Sequence, residues 1–138
     1  MWDIFSNTEV TELTEVSDEA RVTSMTYDPS GDFILTADND GRANVLTLRD
    51  GRTGTPLRVY RGNQDVIREI TFSPDGTHAI SIANDGNVRV WDIFIEDASE
   101  LNREEVRIPV IPSEDSRTPS IAINSTGDTI FLAKGSFL

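Results

Sequence analysis

A segment of about ten residues recurs along the chain, and this repeat constrains the fold more than any other feature of the sequence. Residues 22–31 align with residues 67–76 at an offset of 45, with apolar residues, a proline and a glycine at matching positions. The same offset carries the Asn-Asp-Gly of 39–41 onto the Asn-Asp-Gly of 84–86. A third and weaker copy, 120–127, ends 51 residues after Gly76. A period of this length is typical of folds built from repeated supersecondary units.

Each copy has the pattern of short β-strands separated by turns. Asn-Asp-Gly tolerates the positive φ that a tight hairpin turn requires, so we expect a hairpin at that point in each copy. Four strands in about 45 residues is the pattern of a β-propeller blade. We therefore predict an all-β fold, a segment of a β-propeller made of four-stranded antiparallel blades. The predicted strands are 22–27, 33–37, 45–48 and 57–60 in the first copy, and 67–72, 78–83, 88–93 and 106–111 in the second.

The phase of the repeat predicts incomplete blades at both ends of the chain. Trp2-Asp3 is predicted to end the third strand of a blade, and residues 9–16 to form its fourth strand. At the other end of the chain, residues 129–133 are predicted to form the second strand of a blade, with the following turn at 134–135. The predicted units are a half-blade (1–16), a blade (17–61), a blade with a loop insertion at 94–105 (62–111) and a half-blade (112–138).

About three blades are too few for a closed propeller, which typically needs about 4–8. Two expectations follow and stay open. The chain is a segment of a longer repeat protein, or copies assemble so that the N-terminal half-blade of one completes the C-terminal half-blade of another.

Composition excludes several classes of function. The chain has 24 acidic against 12 basic residues and a net charge of -12, which argues against nucleic-acid binding. It has no Cys and a single His, so disulfide scaffolds, thiolate sites and multi-His metal clusters are excluded. We expect His78 to be a structural strand residue, and we expect no catalysis, cofactor or metal. Without a bilayer-length apolar run or a signal-like start, we expect no membrane association and an intracellular location, cytoplasmic or nuclear.

Three stretches of the second copy, 62–76, 83–86 and 88–93, resemble one repeat of the WD-repeat β-propeller family. Trp91-Asp92 matches the dipeptide that names the family, Asp85 matches the aspartate of its tight turn, and Ser81 matches the small hydroxyl residue of its second strand. The resemblance implies that these residues join a histidine in a hydrogen-bonded tetrad. Asn63 stands where that histidine is expected.

The other copies depart further from the family pattern. Asp18 and Glu114 occupy the histidine position in the flanking copies. The first copy keeps Thr36 and Asp40, but Leu46-Thr47 aligns with the Trp-Asp dipeptide, whereas the N-terminal half-blade has Trp2-Asp3 at that position.

The resemblance implies a non-catalytic scaffold that binds other proteins through loops at one rim of the blades. We call this the top rim, and it comprises the loops before each first strand and between the second and third strands. An acidic top rim would attract basic segments of partner proteins. The candidate partner-binding residues are Asp18, Glu19, Asp38, Asn63, Gln64, Asp65, Asn84, Glu114 and Asp115.

Three alternatives remain open at this stage. The acidic charge only aids solubility, since the loops of the opposite rim are acidic as well, in which case the chain is an architectural segment of a larger protein. The chain is instead a propeller-fold enzyme of the hydrolase or lactonase type, which its single His disfavours. The insertion at 94–105 is either a second contact surface or has no function.

Overall fold

The computed structural model describes residues 2–3, 8–9, 21–39, 44–94, 104–109 and 120–133. Within these residues the chain forms β-strands and no helix, so the predicted all-β class is confirmed. The strands are β1 (Trp2–Asp3), β2 (Thr8–Glu9), β3 (Arg21–Tyr27), β4 (Phe33–Asn39), β5 (Asn44–Asp50), β6 (Pro56–Asn63), β7 (Ile67–Phe72), β8 (His78–Ala83), β9 (Asn87–Asp92), β10 (Glu104–Pro109), β11 (Ser120–Ile123) and β12 (Ile130–Ala133).

The strands form two antiparallel four-stranded meanders flanked by two smaller sheets. Strands β3 to β6 make the first blade and β7 to β10 the second, with neighbours in sequence also neighbours in the sheet. Strand β1 pairs with β2, and β11 with β12 in what we call the third sheet. The first strands β3, β7 and β11 lie next to one another. Together the described strands form a partial propeller rather than a closed ring.

Two apolar clusters fill the spaces between successive sheets. The larger joins the first and second blades and contains Leu35, Ala37, Leu46, Leu48, Tyr60, Ile67, Ile70, Phe72, Ala79, Trp91 and Ile93. The Tyr60 hydroxyl also donates to the carbonyl oxygen of Ile93 across this junction, at 2.6 Å. The smaller cluster joins the second blade to the third sheet through Ile80, Ile82, Val88 and Ile121. The second blade therefore buries one face against the first blade and the other against the third sheet.

One turn geometry recurs between the first two strands of the first blade, the second blade and the third sheet. In each, a glycine with φ of 81°, 74° or 78° (Gly31, Gly76, Gly127) donates its N–H to a carbonyl three residues earlier. The side-chain oxygen of the first turn residue accepts an N–H five residues on, in the pairs Asp28–Phe33 (2.8 Å), Ser73–His78 (3.0 Å) and Asn124–Thr129 (3.1 Å). The first turn of the weak third copy thus has the same geometry as those of the other two.

Some predicted elements differ in their bounds or fall elsewhere. The last strand of the second blade spans Glu104–Pro109 rather than 106–111. The strand predicted at 9–16 is described only at Thr8–Glu9, and its remainder and the turn at 134–135 lie outside the described residues. The division into units 1–16, 17–61, 62–111 and 112–138 stays a prediction.

Candidate functional site

A chain of hydrogen bonds links strands β9 and β8 of the second blade to Asn63 at the end of β6. The Trp91 indole Nε1 donates to Ser81 Oγ at 2.9 Å, and Ser81 Oγ donates to Asn63 Oδ1 at 3.4 Å. The Trp91 ring packs edge-on against Tyr60, with ring centroids 6.4 Å apart. A Cβ on Gly62 would lie 3.2 Å from the same indole and the φ of Gly62 is 144°, so both the close approach of Trp91 and the backbone conformation favour glycine there. Trp91 therefore serves packing and hydrogen bonding together.

Arg89 completes this network, although the sequence pattern did not single it out. Its guanidinium Nη1 donates to Asn63 Oδ1 at 3.4 Å, and its Nη2 donates to Asp85 Oδ2 at 2.8 Å. Burial alone would raise the pKa of Asp85, but hydrogen bonds from Arg89 and Asn87 outweigh it and lower that pKa. Arg89 and Asn63 together thus make the connection between Ser81 and the turn aspartate that the resemblance assigns to a histidine. One signal was present, since Arg89 lies two residues before Trp91 and shares its face of the strand.

A related network lies in the first blade. Arg49 Nε donates to Thr36 Oγ1 at 3.1 Å, and the Arg49 guanidinium lies 3.6 Å from the Asp38 carboxylate. Thr36 and Thr47 both donate hydroxyl hydrogen bonds to Asp38 Oδ2, at 3.1 and 2.6 Å. Arg49 Nε thus donates to the hydroxyl of Thr36 on the second strand of the first blade. In the second blade, Trp91 Nε1 donates to the hydroxyl of Ser81 in the same way.

Strand register corrects the alignment of the first copy with the family dipeptide. Eleven residues separate Thr36 from its partner Thr47, whereas eight separate Ser81 from its partner Arg89. The hairpin of the first blade is therefore three residues longer, and Arg49-Asp50 occupies the place of Trp91-Asp92. The predicted equivalence of Leu46-Thr47 to that dipeptide is wrong, because Thr47 pairs with Thr36 as Arg89 pairs with Ser81, two residues before the dipeptide position.

Asp38 differs from the rim position that the sequence suggested. It belongs to β4, is only 7% exposed, and its carboxylate faces Thr36, Thr47 and Arg49. We correct its assignment from the top rim to the buried network of the first blade. Asn63 likewise directs Oδ1 toward Ser81 and Arg89 and is only partly exposed.

The structure brings together the rim residues of two loops, 64–66 and 84–86. Gln64 and Asn84 are exposed, and Asp65 is half-buried with its Oδ1 accepting the Val66 N–H at 2.7 Å. The N–H of Asn84 donates to the Val66 carbonyl at 2.9 Å, which ties the two loops directly. The exposed Arg68 donates from Nε to Asn84 Oδ1, so the rim also carries a positive charge.

The remaining predicted residues are placed less fully. Trp2 and Asp3 form β1, where they pair with Glu9 and Thr8, and Asp92 Oδ1 accepts the Phe94 N–H at 3.1 Å. Of the predicted site residues, Asp18, Glu19, Asp40, Glu114 and Asp115 lie outside the described part of the chain, as do residues 95–103 of the insertion.

A cleft of about 310 Å³ lies on the opposite rim, between the second blade and the third sheet. Ser73, Asp75, His78 and Asp128 are among its lining residues. Hydrogen bonds from the Ser73 hydroxyl and from the N–H and hydroxyl of Thr77 lower the pKa of Asp75 to about 2. His78 begins β8, and its ring Nδ1 lies 2.7 Å from Thr77 Oγ1.

The described residues contain no group of three or more His, Cys, Asp or Glu placed to hold a metal ion. The same part of the chain includes no helix long and apolar enough to cross a bilayer.

The sequence matches a known family of repeat proteins. The sequence profile for the WD40 repeat, described as "WD domain, G-beta repeat", matches residues 9–45 and 54–92, more than half of the chain. The chain is 33% identical to Pre-mRNA-processing factor 19 of Caenorhabditis elegans over 75 residues, which is 54% of this chain and 15% of that protein. It is 32% identical to bovine WD repeat-containing protein 1 over 84 residues, 58% of this chain and 13% of the relative.

A longer match extends over 109 residues of the bovine serine-threonine kinase receptor-associated protein, at 26% identity, covering 70% of this chain and 30% of that protein. The matched regions thus span less than a third of the length of each of these relatives. The repeats, the four-stranded blades, the Trp91–Ser81 hydrogen bond and the profile match agree, and the chain belongs to the WD40-repeat family.

Proposed function

We propose that this chain is a non-catalytic scaffold that binds other proteins through the top-rim loops of its blades. The observation that carries the proposal is the direct joining of two rim loops, in which the Asn84 N–H donates to the Val66 carbonyl at 2.9 Å. The Arg89–Asp85 ion pair and the Gly86-to-Ala83 hydrogen bond hold the second of these loops to the blade. Loops fixed in this way lose little conformational entropy when a partner binds, so several weak contacts can combine.

The partner chemistry that fits this rim is a basic protein segment. The chain carries a net charge of -12, and Asp65 lies in the joined loops of the rim. Asp18, Glu19, Glu114 and Asp115 belong to the same surface in the repeat pattern and support the proposal from sequence alone. Such a field would steer cationic partners and would repel nucleic acid and anionic lipid. Asp38 is left out because its carboxylate is buried.

Relatives bear on location and on the class of partner. Their names refer to pre-mRNA processing, to nuclear distribution and to the small ribosomal subunit, which supports an intracellular location for this chain. One relative is named for its association with a serine-threonine kinase receptor, which supports protein partners.

The test is titration of an Arg- and Lys-rich peptide into the protein at several salt concentrations. We expect binding to weaken as salt rises, because screening shortens the reach of the rim charges. Reversing rim charge with Asp18→Arg and Asp65→Arg should weaken binding about tenfold, the effect of losing two favourable charge contacts.

The matched control reverses the exposed Asp32, which lies in a loop of the opposite rim. Asp32→Arg should leave peptide binding nearly unchanged if the top rim is the binding surface. An equal loss with Asp32→Arg would favour the alternative in which acidic charge on both rims serves solubility in an architectural segment. A peptide affinity that changes neither with salt concentration nor with any of the three substitutions would overturn the proposal.

A further inference from the structure

We propose that Arg68 binds a carboxylate of the partner protein at the top rim, and that Asn84 positions it for this contact. The inference rests on the rim function proposed above and names a second kind of group that the partner must carry. Arg68 belongs to β7, is exposed, and lies beside the joined loops 64–66 and 84–86. A partner segment that fits this rim would therefore carry an acidic side chain among its basic ones.

A bulge in the first strand of each blade sets one residue apart from the ladder. In β7 the pairing with β8 shifts just after Ile67, so the described ladder skips Arg68. In β3 the shift comes just after Val22 and sets Thr23 apart in the same way. Bulges of this kind re-aim a side chain and are frequent beside functional sites. The two blades therefore share a position whose side chain need not follow the alternation of the strand.

The bulge residues of the two blades are used differently. The Thr23 hydroxyl donates to a backbone carbonyl of its own sheet at 3.2 Å. Arg68 donates from Nε to the side-chain oxygen of Asn84 at 2.5 Å. Asn39, which holds the position of Asn84 in the first blade, donates from Nδ2 across its own hairpin at 2.8 Å. The same asparagine position therefore braces a hairpin in the first blade and holds an arginine in the second.

Asn84 restricts where the guanidinium group of Arg68 can lie. The backbone N–H of Asn84 donates to the Val66 carbonyl at 2.9 Å, so Asn84 is itself tied to the neighbouring loop. A long exposed side chain loses rotamer entropy when a partner immobilises it. Because Nε of Arg68 is already held, much of that loss occurs on folding rather than on binding.

The remaining nitrogens of Arg68 determine what kind of group would bind. Nη1 and Nη2 carry the other N–H donors in a planar fork that matches the two oxygens of a carboxylate. Arg49 and Arg89 each pair with an aspartate, whereas Arg68 belongs to no ion pair between described residues. A carboxylate fits better than a phosphate, since the net charge of -12 opposes a dianion more strongly than a monoanion.

Fluorescence-polarisation titration of a peptide family into the 138-residue chain tests this inference. The parent peptide is rich in Arg and Lys, and each member carries Glu, or Gln for comparison, at one neutral position. We expect Glu at one position to raise the affinity about fivefold over Gln, the gain of an exposed charge pair. Arg68→Gln should abolish that gain and keep the wild-type circular dichroism, because Arg68 is exposed. Arg52→Gln, in an exposed loop of the opposite rim, should leave the gain unchanged.

Two further variants distinguish direct contact from a structural role. Arg68→Glu should reverse the preference, so that Lys at the same peptide position binds more tightly than Gln. A merely structural arginine would not produce this reversal. Asn84→Ala should shrink the preference for Glu without removing it, because it releases the guanidinium group but keeps its charge.

The outcomes separate this inference from the rim function. If the basic peptides bind but Glu raises the affinity at no position, the role of Arg68 is overturned while the rim function stands. A gain that survives Arg68→Gln, or one that Arg52→Gln also removes, would count against Arg68 in the same way. If no member of the peptide family binds, the rim function and the role of Arg68 both fail.

Discussion

At the residue scale, two buried arginines hold the blades together where the family pattern leads one to expect other residues. Arg49 lies 3.6 Å from Asp38 and Arg89 lies 2.8 Å from Asp85, and both guanidinium groups are almost wholly buried. Buried charges are expensive to desolvate and repay the cost only when paired and hydrogen bonded. Each arginine meets that condition through its carboxylate and through the oxygen of a further side chain, Thr36 or Asn63.

Removing one member of the first-blade pair should therefore cost more than removing both. We expect Arg49→Leu to lower the free energy of unfolding by about 3 kcal/mol, because it leaves the Asp38 carboxylate buried without its cation. Adding Asp38→Asn to this variant should recover part of the loss. Urea denaturation followed by circular dichroism measures both. The exposed Arg52 gives the control, and Arg52→Leu should change stability by less than about 0.5 kcal/mol. A double variant no more stable than Arg49→Leu would contradict this account.

The lowered pKa of Asp75 predicts how the stability of the protein changes in acid. Its pKa is about 2 in the folded protein, against an ordinary value of 3.8. A carboxyl group with a depressed folded pKa contributes stability above its ordinary pKa and loses it as the pH falls toward the folded value. Stability should thus fall between about pH 4 and pH 2, and Asp75→Asn should make this fall shallower. Urea midpoints measured across that pH range provide the test, and identical slopes for the two proteins would refute the role of Asp75.

At the scale of elements, the recurring turns also contact one another across the junctions. A Cβ on Gly76 would lie 3.4 Å from Cδ of Pro29, and one on Gly127 would lie 3.3 Å from Cδ of Pro74. A Cβ on Gly31 would meet nothing within 4 Å. The proline of one turn thus packs over the glycine of the next, so the turns register neighbouring sheets as well as connecting strands.

Alanine substitutions separate the two demands on these glycines. Gly31→Ala should cost about 1 kcal/mol, since only its positive φ is strained. Gly127→Ala should cost more, because its methyl group also presses on Pro74. Pairing Gly127→Ala with Pro74→Ala should remove that additional cost, which a double-mutant cycle in urea measures as a coupling energy. Equal losses for Gly31→Ala and Gly127→Ala, or a coupling energy of zero, would argue against contact between the turns.

The elements themselves were largely predictable from the sequence, and the register of one hairpin was not. Strands 67–72 and 78–83 were predicted with the bounds that the structure shows, because alternation and turn residues depend on local sequence. The first blade has a hairpin three residues longer than its turn motif suggested, so matching Asn-Asp-Gly to Asn-Asp-Gly placed Leu46 where Arg49 belongs. Asp38 was misassigned for a related reason, since its three partners come from two strands and only pairing brings them together.

At the scale of the whole molecule, the two junctions between sheets are unequal. The junction of the first and second blades buries Trp91, Tyr60, Phe72 and several aliphatic side chains, whereas that of the second blade and third sheet contains only isoleucines and two valines among the described residues. Repeat proteins gain stability as the sum of each unit and its nearest-neighbour contacts. The smaller junction should therefore open at a lower free energy than the larger one.

Hydrogen exchange under native conditions tests this inequality. We expect the amides of β11 and β12 to exchange faster than those of β4, β5, β8 and β9, because opening the third sheet exposes only the smaller apolar cluster. Ile121→Ala should accelerate exchange in β11 and β12 while leaving β4 and β5 almost unaffected. Leu46→Ala, in the larger cluster, should accelerate exchange in both blades, since it loosens the junction that both share. Uniform protection of all these strands, or an Ile121→Ala effect that spreads equally to β4 and β5, would show that the sheets unfold as one unit rather than junction by junction.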